Sequence, residues 1–246
     1  MKSFEKMFNI LSMYSMDRTS LSISEIQEEL KYPKSTIFRI LNTLEKNNYV
    51  ERNPDNHRYS LGFNFFRLGS IVQSQLDFRK VSLPIMKRLV AETNETVELN
   101  IVDGLNRVCI EKVDSPLDVR NFVRIGERKP LHLGASGKVL MAFLDKAEQI
   151  RIAENLQKDT GIDKERLLSS LEDIRKQGYA CTRGERVPGS FAVAAPLFDK
   201  DGQMTASLTI AGPIQRLSDE REKELLQILL KASREISQNL GYPSFS

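Results

Sequence analysis

The sequence predicts an α+β protein with an N-terminal winged helix-turn-helix, a linker helix, and a C-terminal antiparallel sheet domain flanked by helices. Apolar residues recur at helical spacing through the first 46 residues, and a turn-rich hairpin follows them. Beyond Ser82, segments that alternate apolar and polar residues stand among helical segments. The chain has 246 residues, which is enough for a small and a medium-sized domain.

Two helices are predicted at the start of the chain. Phe4, Met7, Phe8 and Leu11 fall at i, i+3, i+4 and i+7, which is the spacing of one helix face. Residues 22–25 read S-x-x-E, the form of a capping box, in which a serine hydroxyl and a glutamate satisfy free amides at a helix start. A second, short helix therefore begins near Ser22.

A third helix is predicted after the turn "KYPK", because Pro33 suits the first turn of a helix. Its inward stripe is apolar and consists of Ile37, Ile40, Leu41 and Leu44. Its outward stripe is polar and basic and consists of Ser35, Arg39, Asn42 and Lys46. Most charged helix faces are simply solvated, but hydroxyl, amide and arginine side chains together favour contact with a DNA groove.

The segment after the third helix is predicted to be a two-stranded hairpin, since "YVER" and "RYSLG" flank the turn-rich "NPDNH". Val50, Tyr59 and Leu61 are expected to cover the helices. Arg52, His57 and Arg58 are expected to lie near phosphates. Three helices and such a hairpin form a winged helix-turn-helix, which indicates DNA binding. The predicted DNA contacts are Lys34, Ser35, Thr36, Phe38, Arg39, Asn42 and Arg58.

The charge distribution supports a polyanion site in the first third of the chain. Residues 1–80 contain 12 Lys and Arg against 9 Asp and Glu, whereas residues 81–246 contain 24 of each. The whole excess of +3 therefore lies in the N-terminal segment. Three charges are a weak signal alone, but no acidic residue occurs from 31 to 44, where Arg39 stands.

Residues 63–80 are predicted to form a linker helix between a DNA-binding domain at 1–62 and a second domain at 81–246. Phe65, Leu68 and Val72 share one face of this helix. A helix this apolar either mediates dimerisation or packs against the C-terminal domain, and both readings fit. Dimerisation has a geometric advantage, because a two-fold dimer reads two half-sites on DNA.

The C-terminal segment combines strands and helices. Strands are predicted in "TVELNIVDG" and "NRVCIEKVDSP", and a hairpin in "SFAVAAPLFDKDGQMTASLTIAGP". Helices are predicted at 146–157 and at 163–177. A terminal helix begins near Ser218, and its inner face is expected to carry Leu225, Leu229, Ala232 and Ile236.

The glycine-rich segment "HLGASGKV" precedes a predicted helix but is not a P-loop. That motif needs glycine where His132 stands and Ser or Thr where Val139 stands. A Gly-Ala-Ser-Gly turn at a helix start still directs free amides at one point, which suits a carboxylate. The alternative is a tight helix start that uses small residues for packing.

The sequence argues against catalysis, export and a membrane span. His57 and His132 belong to different predicted domains, no ligand cluster has metal spacing, and no G-x-S-x-G occurs. Cys109 and Cys181 stand 72 positions apart without a C-x-x-C pattern, as expected for free thiols in a reducing compartment. No apolar run approaches the roughly 18 residues of a membrane helix, and charges interrupt the N-terminal segment. We expect a cytoplasmic protein that is not an enzyme and needs no cofactor.

Five segments in order resemble the IclR family of bacterial transcriptional regulators: "LSISEIQEELKYPKSTIFRILNTLEKNNYVER", "RYSLG", "LHLGASGKVLMAFL", "KQGYACTRGERVPG" and "AVAAPLFDKDGQMTASLTIAGP". The resemblance covers nearly the whole chain and depends on the set rather than on any single motif. It implies a GAF-like C-terminal domain that binds a small metabolite, commonly an organic or aromatic acid. It also implies a homodimer or homotetramer on a palindromic double-stranded DNA operator.

The resemblance also implies positions for the effector. These are Lys129, Ala135, Ser136, Gly137, Thr182, Ala192, Thr209 and Ala211. In one branch of the family an acidic residue stands at the position of Thr182, cysteine at that of Ala192, and serine at those of Thr209 and Ala211. Because the polar groups differ, the ligand of that branch does not transfer to this chain.

The expected function is sequence-specific regulation of transcription, with repression favoured, under the control of a small effector in the C-terminal domain. One alternative is an activator with a non-acidic effector. Another is a winged-helix module that binds protein rather than DNA, which loss of salt-dependent duplex binding would indicate.

Overall fold

The computed structural model describes residues 2–74 and 77–243 of the chain. It divides the chain into two compact units, residues 1–76 and residues 77–246. The stretch 63–80, predicted as one linker helix, contains the helix Phe63–Ser74 of the first unit and the start of the helix Asp77–Thr93 of the second. Residues 75–76 of that prediction lie outside the described residues.

The N-terminal unit combines helices with a small antiparallel sheet. The helices are α1 (Lys2–Leu11), α2 (Ile23–Leu30), α3 (Lys34–Lys46) and α4 (Phe63–Ser74). The strands are β1 (Ser20–Leu21), β2 (Val50–Arg52) and β3 (Tyr59–Leu61), in the order β1-β3-β2. Strands β2 and β3 form the wing, and three helices precede it, so the predicted winged helix-turn-helix is confirmed.

The core of this unit follows the local sequence signals closely. The hydroxyl of Ser22 accepts from the Glu25 N–H at 3.2 Å, and the Glu25 carboxylate accepts from the Ser22 N–H at 2.7 Å, which confirms the capping box. The inward stripe of α3 is buried as predicted: Ile37, Ile40, Leu41 and Leu44. Val50 and Tyr59 of the wing complete this core.

Two apolar predictions in this unit are wrong. Phe4 and Phe8 of α1 are 68% and 60% exposed, because the face that enters the core carries Ile10, with Met7 only at its edge. Leu61 at the end of β3 is also exposed, at 44%. Apolar side chains are therefore left at the surface of α1 and of the wing.

The C-terminal unit is built on a six-stranded antiparallel sheet. Its strands are β4 (Thr96–Asp103), β5 (Asn106–Val113), β6 (Arg128–Pro130), β7 (Ala180–Arg183), β8 (Ser190–Phe198) and β9 (Met204–Pro213), in the order β6-β5-β4-β9-β8-β7. Its helices are α5 (Asp77–Thr93), α6 (Gly134–Ala142), α7 (Lys146–Thr160), α8 (Lys164–Gln177) and α9 (Asp219–Asn239). The α+β, GAF-like architecture predicted from the sequence is confirmed.

Helices cover both faces of this sheet. On one face, α5 and α9 bury the predicted stripe of Leu225, Leu229, Ala232 and Ile236 against the sheet. On the other face, α6 packs against β8 and is backed by α7 and α8 in a second apolar cluster. Side chains alternate between faces along each strand, so every second residue of β4 and β9 points toward α6. This second face also carries the polar residues described below.

Candidate nucleic-acid interface and ligand cleft

The outer face of α3 carries the predicted DNA contacts in one continuous surface. Because the inward stripe is buried, the opposite residues project to solvent. Lys34, Ser35, Phe38 and Arg39 are exposed, whereas Thr36 and Asn42 are half-buried. Phe38 is 54% exposed, so its ring is available for an apolar contact with a partner. The surface has the size and character of a recognition helix.

Arg58 of the wing differs from the expectation of a side chain directed at phosphates. Its Nε donates to the hydroxyl of Ser20 at 2.9 Å, and its Nη2 donates to the Ser20 carbonyl at 2.9 Å. The same guanidinium forms an ion pair with Glu25 at 2.9 Å. Arg58 therefore links the wing to β1 and α2. Arg52 and His57 are the exposed basic and imidazole groups of the wing.

Glu25 serves both the capping box and this ion pair. The backbone N–H of Ser22, followed by the Arg58 guanidinium, lowers the pKa of the Glu25 carboxyl to about 2. The start of α2 and the wing are thus held together by one carboxylate.

A narrow cleft in the C-terminal unit lies between the start of α6, the sheet, and the loop 184–189. Its free space is about 10 Å³, close to the minimum for one water molecule. Thr209 lines the cleft, is 2% exposed, and its hydroxyl has no hydrogen-bond partner among the described residues. The cleft is lined by Glu98, Gly134, Ala135, Ser136, Thr182, Glu185, Arg186, Ser190, Phe191, Ala192 and Thr209.

The first amides of α6 are already bonded to side chains. The Gly134 N–H donates to the Glu185 carboxylate at 3.0 Å, and the Ala135 N–H donates to the Thr182 hydroxyl at 3.2 Å. Glu185 also forms an ion pair with Lys138. The expectation of free amides at this turn is therefore wrong for Gly134 and Ala135, since Glu185 supplies the carboxylate that the helix start favours.

Charged and amide groups lie buried behind the cleft. Glu98 is 1% exposed and its Oε1 accepts from Asn121 Nδ2 at 2.7 Å. Arg107 is fully buried, lies 3.6 Å from the other Glu98 oxygen, and donates to Asn100. Burial lowers the pKa of the Arg107 guanidinium, and Glu98 opposes that effect. The floor of the cleft is therefore polar inside an otherwise apolar unit.

Most, but not all, of the sequence-predicted effector positions meet in this cleft. Ala135, Ser136, Thr182, Ala192 and Thr209 line it. The three others lie outside its lining: Lys129, Gly137 and Ala211. Lys129 is half-buried and forms an ion pair with Glu127 at 2.9 Å, and Ala211 is buried within β9. Gly137 is required by packing, because a Cβ there would lie 2.3 Å from the Leu131 carbonyl oxygen.

Sequence reasoning missed the charged residues of the cleft. Glu98 is one of the five buried residues that begin β4, and an acid at an inward position of a strand was the available signal for it. Glu185 and Arg186 belong to the segment "GERVPG", and the glycines at its two ends mark a loop. No local spacing connects these two segments of the chain.

The two cysteines are free thiols, and their surroundings suppress their reactivity. Burial raises the pKa of the Cys109 thiol to about 12 and that of the Cys181 thiol to about 12, so both are protonated at neutral pH. Across residues 2–74 and 77–243, no three His, Cys, Asp or Glu side chains are arranged to hold a metal ion. Within the same residues, no helix is long and apolar enough to cross a membrane.

The chain matches two protein domain families: "Bacterial transcriptional regulator IclR C-terminal" over residues 71–238 and "IclR helix-turn-helix domain" over residues 3–54. It is 32% identical to the HTH-type transcriptional regulator XynR of Escherichia coli (strain K12), over 99% of this chain and 98% of XynR. It is 34% identical to the HTH-type transcriptional regulator KdgR of the same strain, over 98% of this chain and 93% of KdgR.

Solved structures share the fold over the whole chain. An IclR homolog complexed with 4-hydroxybenzoate, from Microbacterium hydrocarbonoxydans, matches with a TM-score of 0.80 over 97% of this chain and 98% of that chain. At 23% identity this match shows a common fold and nothing about the ligand. The relatives are transcriptional regulators and not enzymes. The chain belongs to the IclR family of bacterial DNA-binding transcriptional regulators.

Proposed function

We propose that this regulator binds a palindromic operator as a homodimer or homotetramer, and that a small organic acid in the C-terminal cleft controls that binding. The outer face of α3 is the observation that carries the DNA-binding part of this proposal. It exposes Ser35, Phe38 and Arg39 side by side without an acidic neighbour on the same turns. Arg39 is suited to bidentate contact with guanine, and half-buried Asn42 to contact with adenine.

The exposed apolar surface of the N-terminal unit supports self-association. Phe63, Phe66, Ile71 and Val72 of α4 are between 47% and 67% exposed. Phe4 and Phe8 of α1 are exposed as well. Phe63 and Phe66 lie in contact, with ring centroids 5.3 Å apart, and exposed apolar surface of this kind favours an interface. A second copy of the chain is the proposed partner, because two copies of α3 read two half-sites.

The cleft beside α6 supports effector binding. It is concave, and it brings together five of the predicted effector positions. It also contains the buried hydroxyl of Thr209, which no described residue bonds. Buried hydroxyls without a partner are costly, so a ligand or water that bonds Thr209 is favoured. An effector here changes the balance between two arrangements of the regulator, typically by about 1–3 kcal/mol, or roughly 5- to 150-fold in affinity for DNA.

Repression is the proposed direction of regulation, and the protein acts in the cytoplasm, where the operator is. Activation with a non-acidic effector is the second candidate. A reporter gene placed behind the operator distinguishes the two: deletion of the regulator raises expression if it is a repressor and lowers expression if it is an activator. A protein-binding role for the winged helix is not supported by the basic, acid-free face of α3.

The test of the DNA-binding proposal is selection of duplexes from a random pool by the full chain. The enriched sequences are expected to form an inverted repeat, and the affinity for them is expected to fall steeply with salt as phosphate contacts release counterions. Enrichment of a sequence without two-fold symmetry would contradict the dimeric operator. Failure to retain any duplex at low salt would contradict DNA binding by α3.

A further inference from the structure

A second concavity of the C-terminal unit lies away from the cleft, at the other end of β8. Ser190 and Ala192 near the start of β8 line the cleft, whereas Pro196 and Phe198 near its end line this second site. Because a strand advances by about 3.3 Å per residue, the two ends of β8 lie roughly 25 Å apart. The second site is bounded by the end of β8, the end of α8 and the helix α9, and we call it the distal cavity.

The distal cavity is large enough for a small molecule. Its volume is about 520 Å³, within the roughly 300–1,000 Å³ of ordinary ligand pockets. The serine hydroxyls at its base are already bonded within the protein. Ser233 donates to the Pro196 carbonyl at 2.6 Å, and Ser237 donates to the Ser233 carbonyl at 2.9 Å. The base therefore needs no hydrogen bond from a ligand, and recognition depends on the walls.

Aromatic side chains form one wall of the distal cavity. The rings of Phe198 and Tyr242 stack with centroids 5.2 Å apart, and Phe143 meets Phe198 edge-on at 5.3 Å. All three residues are half-buried, so each ring is held by a neighbour while part of it stays accessible. Aromatic rings favour stacked or edge-to-face contact with further rings at such distances. This wall therefore suits a flat aromatic ligand.

Arg175 is a cation of the distal cavity that can turn toward a ligand at little cost. Its guanidinium carbon lies 5.6 Å from the centre of the Phe143 ring. Its Nη1 is 3.3 Å and 3.5 Å from the carbonyl oxygens of Ala142 and Leu144. The side chain of Gln149 donates to both carbonyls at 2.9 Å. These carbonyls therefore keep a donor when Arg175 leaves them for a carboxylate, with which it forms a stronger, charge-assisted bond.

Arg234 of α9 adds a second positive charge to the distal cavity. It is exposed and forms no ion pair within the described residues. The acid that follows it, Glu235, pairs with Arg88, and Glu172 of α8 pairs with Lys146. In the part of the chain that the structure describes, no acidic residue lines the cavity. Two arginines without an acid complement the charge of an anion.

We propose that the distal cavity is a second small-molecule site, which binds a flat aromatic carboxylate. The rings of Phe143, Phe198 and Tyr242 contact the aromatic part of the ligand. Arg175 and Arg234 bind its carboxylate. The site is separate from the cleft beside α6, so this inference does not depend on the proposed function.

The test compares three probes of the same size on the full chain by thermal shift and calorimetry. The compound 2-naphthoate has both features, 2-naphthamide lacks the charge, and decahydro-2-naphthoate lacks the aromatic rings. We expect 2-naphthoate to raise the melting temperature, because a ligand that binds only the folded state stabilises it. Decahydro-2-naphthoate is expected to bind about 2- to 10-fold more weakly, since the contacts between rings are lost.

Variants locate the bound probe. Arg175→Gln combined with Arg234→Gln is expected to weaken 2-naphthoate binding by roughly 5- to 25-fold, because two exposed ion pairs with the carboxylate are lost. Arg128→Gln combined with Arg166→Gln is the matched control, since it removes the same charge from exposed residues that do not line the distal cavity. Its affinity for 2-naphthoate should equal that of the wild type. Thr209→Val changes the cleft and should also leave this affinity unchanged.

The outcomes separate this inference from the proposed function. If 2-naphthoate does not bind the wild type at millimolar concentration, or if 2-naphthamide binds as tightly, the proposed site for an anion is wrong. If decahydro-2-naphthoate binds as tightly, the aromatic class is wrong. If Thr209→Val weakens binding and the Arg175 and Arg234 double variant does not, the probe binds in the cleft. The distal site is then refuted, whereas an organic acid as effector stands.

Equal affinity of the two double variants for 2-naphthoate would also refute the distal site, because the loss would then follow net charge and not position.

Discussion

Arg39 and Arg58 are both arginines of the N-terminal unit, but their surroundings give them different tasks. Arg39 projects from the outer face of α3 and is exposed. Arg58 is held by the Ser20 hydroxyl and carbonyl and by the Glu25 carboxylate. The first is therefore available to read a base, whereas the second holds the wing against α2.

Arg39→Ala is expected to remove most of the preference of the regulator for its operator. A bidentate contact between arginine and guanine contributes about 1–3 kcal/mol of discrimination, so the ratio of operator to random-duplex affinity should fall by roughly 5- to 150-fold. Fluorescence anisotropy with both duplexes measures that ratio. An unchanged ratio in the variant would refute the assignment of this face to the major groove.

Glu25 makes the N-terminal unit sensitive to acid. Its folded pKa of about 2 lies below the ordinary value of 4.5, so its stabilising effect is complete above that value and is lost as the pH falls from about 4.5 toward 2. Chemical denaturation of the wild type and of Glu25→Gln at neutral pH and at about pH 3 tests this. The stability difference between them should shrink in acid, and a constant difference would contradict the coupling. The magnitude is modest because the carboxyl side chain is 37% exposed.

Helix α6 depends on one close approach between backbones. A Cβ on Gly137 would lie 2.3 Å from the Leu131 carbonyl oxygen, so Gly137→Ala must push α6 away from the segment that leads into it. We expect a loss of roughly 1–3 kcal/mol in the free energy of unfolding, measured with urea. Gly69→Ala in α4 is the control, because nothing lies within 4 Å of its added Cβ and alanine is the better helix former. Equal stability of the two variants would contradict the packing role of Gly137.

Helix α4 is the element on which the proposed self-association depends. Phe63 and Phe66 are each 67% exposed and their ring centroids lie 5.3 Å apart, so Phe63→Asp combined with Phe66→Asp places two charges on one apolar face without disturbing the core. Analytical ultracentrifugation should show that the dissociation constant for self-association rises by about 10-fold or more, because an unpaired charge buried at an interface is unfavourable. Val119→Asp changes a residue of the C-terminal unit that is 70% exposed and should have no such effect. Identical association of both variants would remove α4 from the interface.

The sequence predicts the elements better than it predicts the cleft. The stripe of α3, the Ser22 capping box and the strands β4 and β5 follow from spacing within a few residues, where each side chain's direction is set by its own helix or strand. Glu98 and Arg186 meet only because the sheet and the loop 184–189 bring together distant parts of the chain. The partners of Arg58 were not predictable for the same reason, since Glu25 lies in another element.

At the scale of the whole molecule, the regulator combines two units with different chemistry. The N-terminal unit presents an acid-free helix face and exposed apolar side chains, and the C-terminal unit encloses a polar cleft within its core. The excess positive charge of the sequence lies in the first 80 residues. This division suits a protein in which one unit binds a polyanion and the other a small molecule.

The most direct measurement is the affinity of the full chain for its selected operator, with and without a carboxylate at saturating concentration. The carboxylate is one that raises the melting temperature of the protein. We expect the dissociation constant for the operator to change by roughly 5- to 150-fold, and operator DNA to change the affinity for the carboxylate by the same factor. A carboxylate that stabilises the protein but leaves operator affinity unchanged would contradict effector control of DNA binding.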